Sequence, residues 1–584
     1  MATHAEGTKS GSHRGGGVTP APLRDPDTVM RLPRLGAMHP SRLSFLRNLI
    51  RRMGREQWRI GCPRFDVGTD ECGEAVYTVD TPQGRYSFVV FAQLIPEAAR
   101  TDRVIAERWD YTFALTEGEP DAAHMARLRA NVPRQEAGRV TSRELVLARG
   151  NKSVRLFDHM VAQLAAGRQP AIAEVTEVGY LMRTTAVYGN GKFGLADYAR
   201  LRDGTPFHRP FAAQMLAVYL ARLFSLDLVD HLAWRHGGSA ATRLSAPLRR
   251  AVGVGNATGL GMAPFIVSHP ELMHAWVNAR ETAIARVKGV PRAQRPRVRH
   301  FRALLERAIA HADQWWTADA AQHAAICALR RELREIAGSL FPARGADPLA
   351  GAYPWRAFAE RVMRGGFSLE TQELMHSLIL EPYPDLADDL ADTMAADETA
   401  RVHAAEPLRA VIARIESGYA WALRIDPDDP AEAHYFWYRA VEKEEPRLGT
   451  RHGDPGAARE MPIGVGHAVA RLHRELAALS AAELARPVGE FLMHRPEHRA
   501  LIARIQTLSA KPYAEVRDNL LHRDMRPVDL LRFKLAFFGA VRFDPKSDRW
   551  TRITLFSGAP LPADFADPRI DCDDSFAPTW PATP

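Results

Sequence analysis

A chain of 584 residues, 46% hydrophobic and 25% charged, has the composition of a globular protein with a sizeable core. It predicts two or three domains and excludes a disordered or fibrous protein. The net charge of +8 is spread over the whole length, too dilute to argue for nucleic-acid binding, which needs basic residues gathered on one face. Four scattered cysteines, Cys62, Cys72, Cys327 and Cys572, form no Cys-x-x-Cys pair and point to a reduced, cytoplasmic protein.

Residues 1–30 have no apolar run and read as a disordered tail, not a secretory signal. Residues 31–118 combine a basic helix with an antiparallel meander. The helix, residues 41–56, sets Leu43, Phe45, Leu46, Leu49 and Ile50 among Arg42, Arg47, Arg51, Arg52 and Arg55. It can dock on the body with a solvated basic edge, or offer its arginines to nucleic acid or an anionic surface. The period then changes to two over 58–67, 75–80, 86–94 and 108–115, which predicts three or four strands with turns at 67–70 and 81–84.

Residues 119–345 read as a helical domain, with helices near 121–131, 140–149, 153–166, 171–187, 209–233, 269–288 and 298–338. Residues 211–229 approach membrane-spanning length, but Arg222 and Asp227 lie inside them. A mid-bilayer charge costs about 2.5 kcal/mol or more, so a buried central helix is expected and no transmembrane segment. A Pro/Gly-rich break at 341–354 leads into a second helical block, 346–530. Its helices are expected near 368–378, 384–396, 405–424, 430–445, 463–478 and 496–508. Residues 531–584 hold a C-terminal hairpin, strands 535–543 and 550–556 around Asp544-Pro-Lys-Ser-Asp548, and a tail. The expected fold is α+β, predominantly α-helical, with a small antiparallel β-sheet from the N-terminal strands that the C-terminal hairpin can complete.

Three segments concentrate reactive side chains. In residues 430–445 Asp429 can cap a helix, Pro430 suits its first position, Glu432 has capping-box spacing and Pro446 ends it. His434, Tyr438, Glu442 and Glu445 then share the border between its buried and solvent arcs. Glu442 and Glu445, three apart, push one carboxyl pKa upward and can supply a general acid, assisted by Tyr438 or His434. Arg447 and Arg451 in the following loop either bind substrate or neutralise that pair as an ion network. A second histidine at helical spacing is missing, so no metal site is expected.

The second segment is 180–198, where a helix carrying Arg183 and Tyr188 is expected to end at Gly189-Asn-Gly191. Lys192 follows between glycines, presented either to an anion or simply to solvent after a helix C-cap. The third is 253–274, a glycine-rich loop leading into a helix, whose Asn256 and Thr258 can donate to an anion. Its Gly-x-Gly-x-x-x-Gly spacing, with no strand before it, excludes a dinucleotide-binding fold.

Two further patterns lead nowhere by themselves. Asp227 and His231 have a metal-compatible spacing of four but read as a pair near a helix end. His522-Arg-Asp-Met-Arg-Pro-Val-Asp529 is spelled like a protein-kinase catalytic loop, yet lacks the glycine loop, strand lysine and Asp-Phe-Gly that must accompany it. No Gly-x-Ser-x-Gly, His-Glu-x-x-His or P-loop motif occurs.

The first expectation is therefore an enzyme acting on a small anionic metabolite, a carboxylate or phosphate compound, by acid–base chemistry. Arg183, Tyr188, Lys192, Asn256, Thr258, Arg447 and Arg451 would bind it; Glu442, Glu445, Tyr438 and His434 would move protons. A protein that binds nucleic acid or an anionic surface through residues 41–56 is the competing expectation. A flavin- or haem-dependent oxidoreductase is the third, because the sequence names no cofactor. Convergence of the three segments on one pocket would favour the first.

Overall fold

Alternating apolar residues near the N-terminus do form strands, β1 (Arg59–Val67), β2 (Gly73–Thr81), β3 (Gly84–Ala92) and β4 (Tyr111–Glu117). The computed structural model describes residues 19–96, 109–134, 141–185, 207, 209–259, 267, 269–315, 317, 319–340, 348–394, 401–434, 437–440, 443–446, 464–540, 542–547 and 550–567. Helices predominate in them and the fold is α+β.

The sheet is larger than expected, and mixed. Three strands come from the region expected to be helical or loop: β5 (Glu144–Lys152), β6 (Tyr180–Thr184) and β7 (Gly253–Gly259). After the small hairpin β8 (Trp437–Ala440) and β9 (Lys443–Pro446), the C-terminal strands β10 (Arg542–Ser547) and β11 (Trp550–Leu555) close the far edge. The nine-stranded order is β1-β2-β3-β4-β5-β6-β7-β11-β10. Neighbours are antiparallel except β6 and β7, which run parallel.

Each departure from expectation has a local cause. Residues Glu144, Leu145, Val146, Leu147 and Ala148 of β5 are all buried and mostly favour a helix, so neither a polar face nor propensity marks the strand. The helix Ile172–Val178 stops at Gly179, whose φ of +80° turns the chain into β6 instead of continuing to residue 187. Gly253 and Gly255 belong to a strand packed too tightly for a side chain. A Cβ on Gly253 would meet the Leu555 carbonyl oxygen at 2.4 Å, and one on Gly255 would meet the Tyr180 ring at 2.7 Å.

Among the described residues of 430–445 the expected helix is absent. Asp429 caps only one turn, accepting from the Ala431 N–H at 2.8 Å, and Trp437–Ala440 pairs as β8 with β9. The strand expected at 535–543 begins later, at Arg542. Leu535–Gly539 instead extends the helix Pro527–Lys534 as a π-turn, with Leu535, Phe537 and Phe538 buried.

The helix Ala212–Gly237 runs through the core, against the helix Phe157–Ala165 and the sheet. By length and composition it matches a membrane span, but the most apolar stretch is 94% buried inside the protein. Its Arg222 is fully buried and donates to the carbonyl oxygens of Val252, Arg249 and Ala559. Carbonyl acceptors solvate that charge, although burial pulls its pKa down to about 10.

The basic segment around the helix Phe45–Arg55 buries Arg42, Arg47 and Arg52. Arg47 is fully buried and meets Glu381 at 3.0 Å. Arg42 pairs with Asp388 at 2.7 Å and Arg52 with Glu56 at 2.8 Å; Arg55 is exposed. The expected solvated basic edge is thus largely an internal ion network.

Candidate functional site

Two of the three reactive segments meet in the sheet. Arg183 of β6 lies opposite Gly255 of β7, and the Asn256 amide donates to the Thr184 carbonyl oxygen at 2.7 Å. Asn256 is buried and accepts from Lys534 Nζ at 2.6 Å, so it serves as an interior bridge and not as a loop donor to an anion. Burial pulls the Lys534 pKa down to about 7. The backbone of Thr258 pairs with Thr551 in the same sheet.

In the 430–454 segment, Tyr438 and Glu445 occupy facing positions of the β8–β9 hairpin, and His434 is half-buried just before it. Tyr188, Lys192, Glu442, Arg447 and Arg451 lie outside the described residues. Among the described residues, only the strands that carry Arg183 and Asn256 are brought together.

A charge-rich cavity lies elsewhere. It has a volume of about 580 Å3, within the size range of small-molecule sites. One wall is Arg31 and Leu32 at the start of the helix Leu32–Ala37. A second is Trp421 and Arg424, and a third is Glu432. The floor is the loop from Arg517 to Arg526, with Asp529 on the helix Pro527–Lys534.

Local hydrogen bonding explains why these distant segments meet. The Asp518 carboxylate accepts from the Leu32 N–H at 2.5 Å and pairs with Arg31 at 2.5 Å, which ties the N-terminal segment to the loop. Asp27 pairs with Arg517 alongside. The Asn519 amide donates to the Glu432 carbonyl oxygen at 2.7 Å, and the Arg523 N–H donates to the Ala431 carbonyl oxygen at 3.0 Å. Pro527, at the first helical position, then starts the helix that carries Asp529 in its first turn.

The charges are unevenly matched. Arg31 and Arg517 are neutralised by Asp518 and Asp27. Arg424 and Arg526 are exposed, and neither forms an ion pair with another described residue. Asp529, 7% exposed, lines the same cavity. Burial raises its carboxyl pKa, against the opposing charges of Arg532 and Arg526. His522 adds an imidazole whose Nδ1 accepts from the Asp524 N–H at 3.1 Å. Because Nδ1 is the acceptor, a neutral ring carries its proton on Nε2.

Such a cavity can seat an anionic group on two guanidinium groups and exchange a proton through a carboxyl titrating above its usual range. Sequence reasoning passed over these residues. The signal is the density of titratable groups in His522–Asp529 just before a proline-started helix, a stretch whose spelling resembles a kinase loop. Among the described residues no group of three or more His, Cys, Asp or Glu side chains is placed to hold a metal ion. No family model matches this chain, and no curated protein or solved structure matches it either, so its chemistry rests on the geometry above.

Proposed function

We propose that the chain is an enzyme acting on a small anionic compound, a carboxylate or a phosphate, by acid–base chemistry in the cavity floored by residues 517–529. The observation that carries this reading is the buried Asp529 carboxyl, with its raised pKa, beside the unmatched guanidinium groups of Arg424 and Arg526. In this proposal Arg424 and Arg526 hold the anionic group, Asp529 delivers or accepts the proton, and His522 is the second titratable group in reach. A bound anion raises the Asp529 pKa further, keeping the acid form loaded until transfer. The three unpaired thiols Cys62, Cys72 and Cys327 support a reduced, cytoplasmic setting.

The glutamates Glu442 and Glu445 follow the wall residue Glu432 along the chain, and the proposal keeps them as further proton-transfer candidates. The basic helix is not the proposed site, since Arg42, Arg47 and Arg52 are already paired inside the protein.

Thermal unfolding with added inorganic phosphate or succinate tests the proposal, because a ligand that binds only the folded state raises the Tm. A rise with either anion that disappears in the Arg424→Ala/Arg526→Ala variant supports it. No rise with either anion, or an equal rise in the variant, refutes it.

A further inference from the structure

We infer that a second cavity, of about 660 Å3, beside the C-terminal half of the helix Ala212–Gly237 binds a neutral polyhydroxy ring, the chemistry of a sugar. This inference is independent of the proposed function: the two cavities share no lining residue. It begins from Asp227, which the sequence marks for its charge inside the apolar stretch 211–229 and for its spacing to His231.

Asp227 and Asp230 are fixed acceptors. Asp227 Oδ1 accepts from Arg249 Nη2 at 2.7 Å, and its Oδ2 accepts from the Tyr77 hydroxyl at 2.8 Å. Asp230 Oδ1 accepts from the Leu244 N–H at 2.8 Å, and its Oδ2 accepts from Arg249 Nη1 at 2.6 Å. Every one of these oxygens keeps a second lone pair, and none can turn away without breaking an internal bond. Rigid acceptors of this kind suit ligand hydroxyl groups, which arrive as donors. The neighbouring His231 adds another: its Nε2 lies 2.8 Å from the Val67 carbonyl oxygen, which can only accept, so in the neutral ring Nδ1 is the acceptor.

The charge balance selects against an ion. Arg249 bridges the two carboxylates, taking the place that a bound cation would hold between them. Arg243, exposed at the rim, balances the second carboxylate formally. With two carboxylates against two guanidinium groups, the cavity offers neither sign of charge a strong attraction.

The remaining wall is aromatic. Trp234 is 61% exposed, and Phe65 lines the interior side. An exposed indole next to a polar cavity offers a flat apolar surface with a donor edge. The C–H face of a pyranose ring covers such a surface while its hydroxyl groups turn to the carboxylates. Three fixed acceptor residues, no net charge and one aromatic platform together describe a sugar subsite better than a site for a charged metabolite.

Saturation-transfer NMR on the full chain with maltose, cellobiose and N,N′-diacetylchitobiose tests the inference, with choline chloride as a cationic comparator. At least one disaccharide should receive saturation on its ring C–H protons. Trp234→Ala should weaken that binding at least tenfold; because the side chain is exposed, the variant should melt as the parent does. Asp227→Asn, which keeps the shape but replaces one acceptor oxygen by an amide donor, should also weaken it at least tenfold. No transfer to any of the three sugars, equal binding by Trp234→Ala, or binding of choline in preference to all three overturns the inference.

Discussion

A methyl group on Gly36 would stand 2.7 Å from both the Cα and the carbonyl oxygen of Asp529. That close approach presses the helix Leu32–Ala37 onto the helix Pro527–Lys534, and so fixes the carboxyl that floors the charged cavity. In an open helix, glycine to alanine gains stability, by about 1 kcal/mol. Here the sign should reverse. Gly36→Ala is predicted to cost about 1–3 kcal/mol through overpacking, read as a lower denaturant midpoint. A raised midpoint would show that the two helices are not held this way.

The N-terminal segment is anchored by a buried charge network. Arg24 reaches Glu281 at 2.7 Å and Glu373 at 2.6 Å, and both glutamates are fully buried. Burial opposes ionisation of Glu373, but Arg24 and Arg280 overcome it and hold its pKa well below the ordinary 4.5. The stability this contributes is present above about pH 4.5 and lost as the pH falls toward the folded-state value. Arg24→Met leaves a buried carboxylate short of its partner and should cost about 3–5 kcal/mol at neutral pH in urea denaturation. The loss should shrink in acid, where the carboxylates protonate. A loss that stays constant from neutral to acidic pH would contradict this.

Lys534 makes the opposite kind of prediction. Its ordinary pKa is 10.5 and burial brings it to about 7, so between these values the unfolded chain holds a proton that the folded chain does not. Folded stability therefore rises with pH through that window. Lys534→Met removes this dependence, although it also removes the hydrogen bond to Asn256. Relative to the parent, the variant should be most favourable near pH 7 and lose ground as the pH approaches about 10. Scanning calorimetry at the two ends measures it; a Tm difference that does not change with pH would contradict the buried, deprotonating lysine.

Most of what was legible in the sequence was local. The strands β1 to β4 are marked by β-branched and aromatic residues between turn signals, even where β3 and β4 are buried on both faces, and the helices Pro270–Lys288 and Leu369–Leu378 are marked by period and turn residues. β5 is hidden because its buried run Glu144-Leu-Val-Leu-Ala148 is made mostly of residues that also favour a helix, unlike the aromatic and β-branched β3 and β4. β7 was hidden because Gly253 and Gly255, which admit the Leu555 backbone and the Tyr180 ring, look the same in sequence as loop glycines. The cavity was harder still. Arg31, Arg424, Glu432 and Asp529 come from four separated segments joined by long-range bonds such as Leu32 to Asp518 and Asn519 to Glu432, which no local motif encodes.

The most direct measurement is calorimetric titration of inorganic phosphate and succinate into the parent chain, Arg424→Ala/Arg526→Ala and Asp529→Asn across a range of pH. Protonation of Asp529 removes a negative charge beside the bound anion, so the parent should bind more tightly as the pH falls through the raised Asp529 pKa. Asp529→Asn should bind at least as tightly as the parent and lose that pH dependence, while the double arginine variant should bind at least tenfold more weakly. Equal affinity in the parent and the arginine variant, or an unchanged pH dependence in Asp529→Asn, would contradict an anion site built on these three residues.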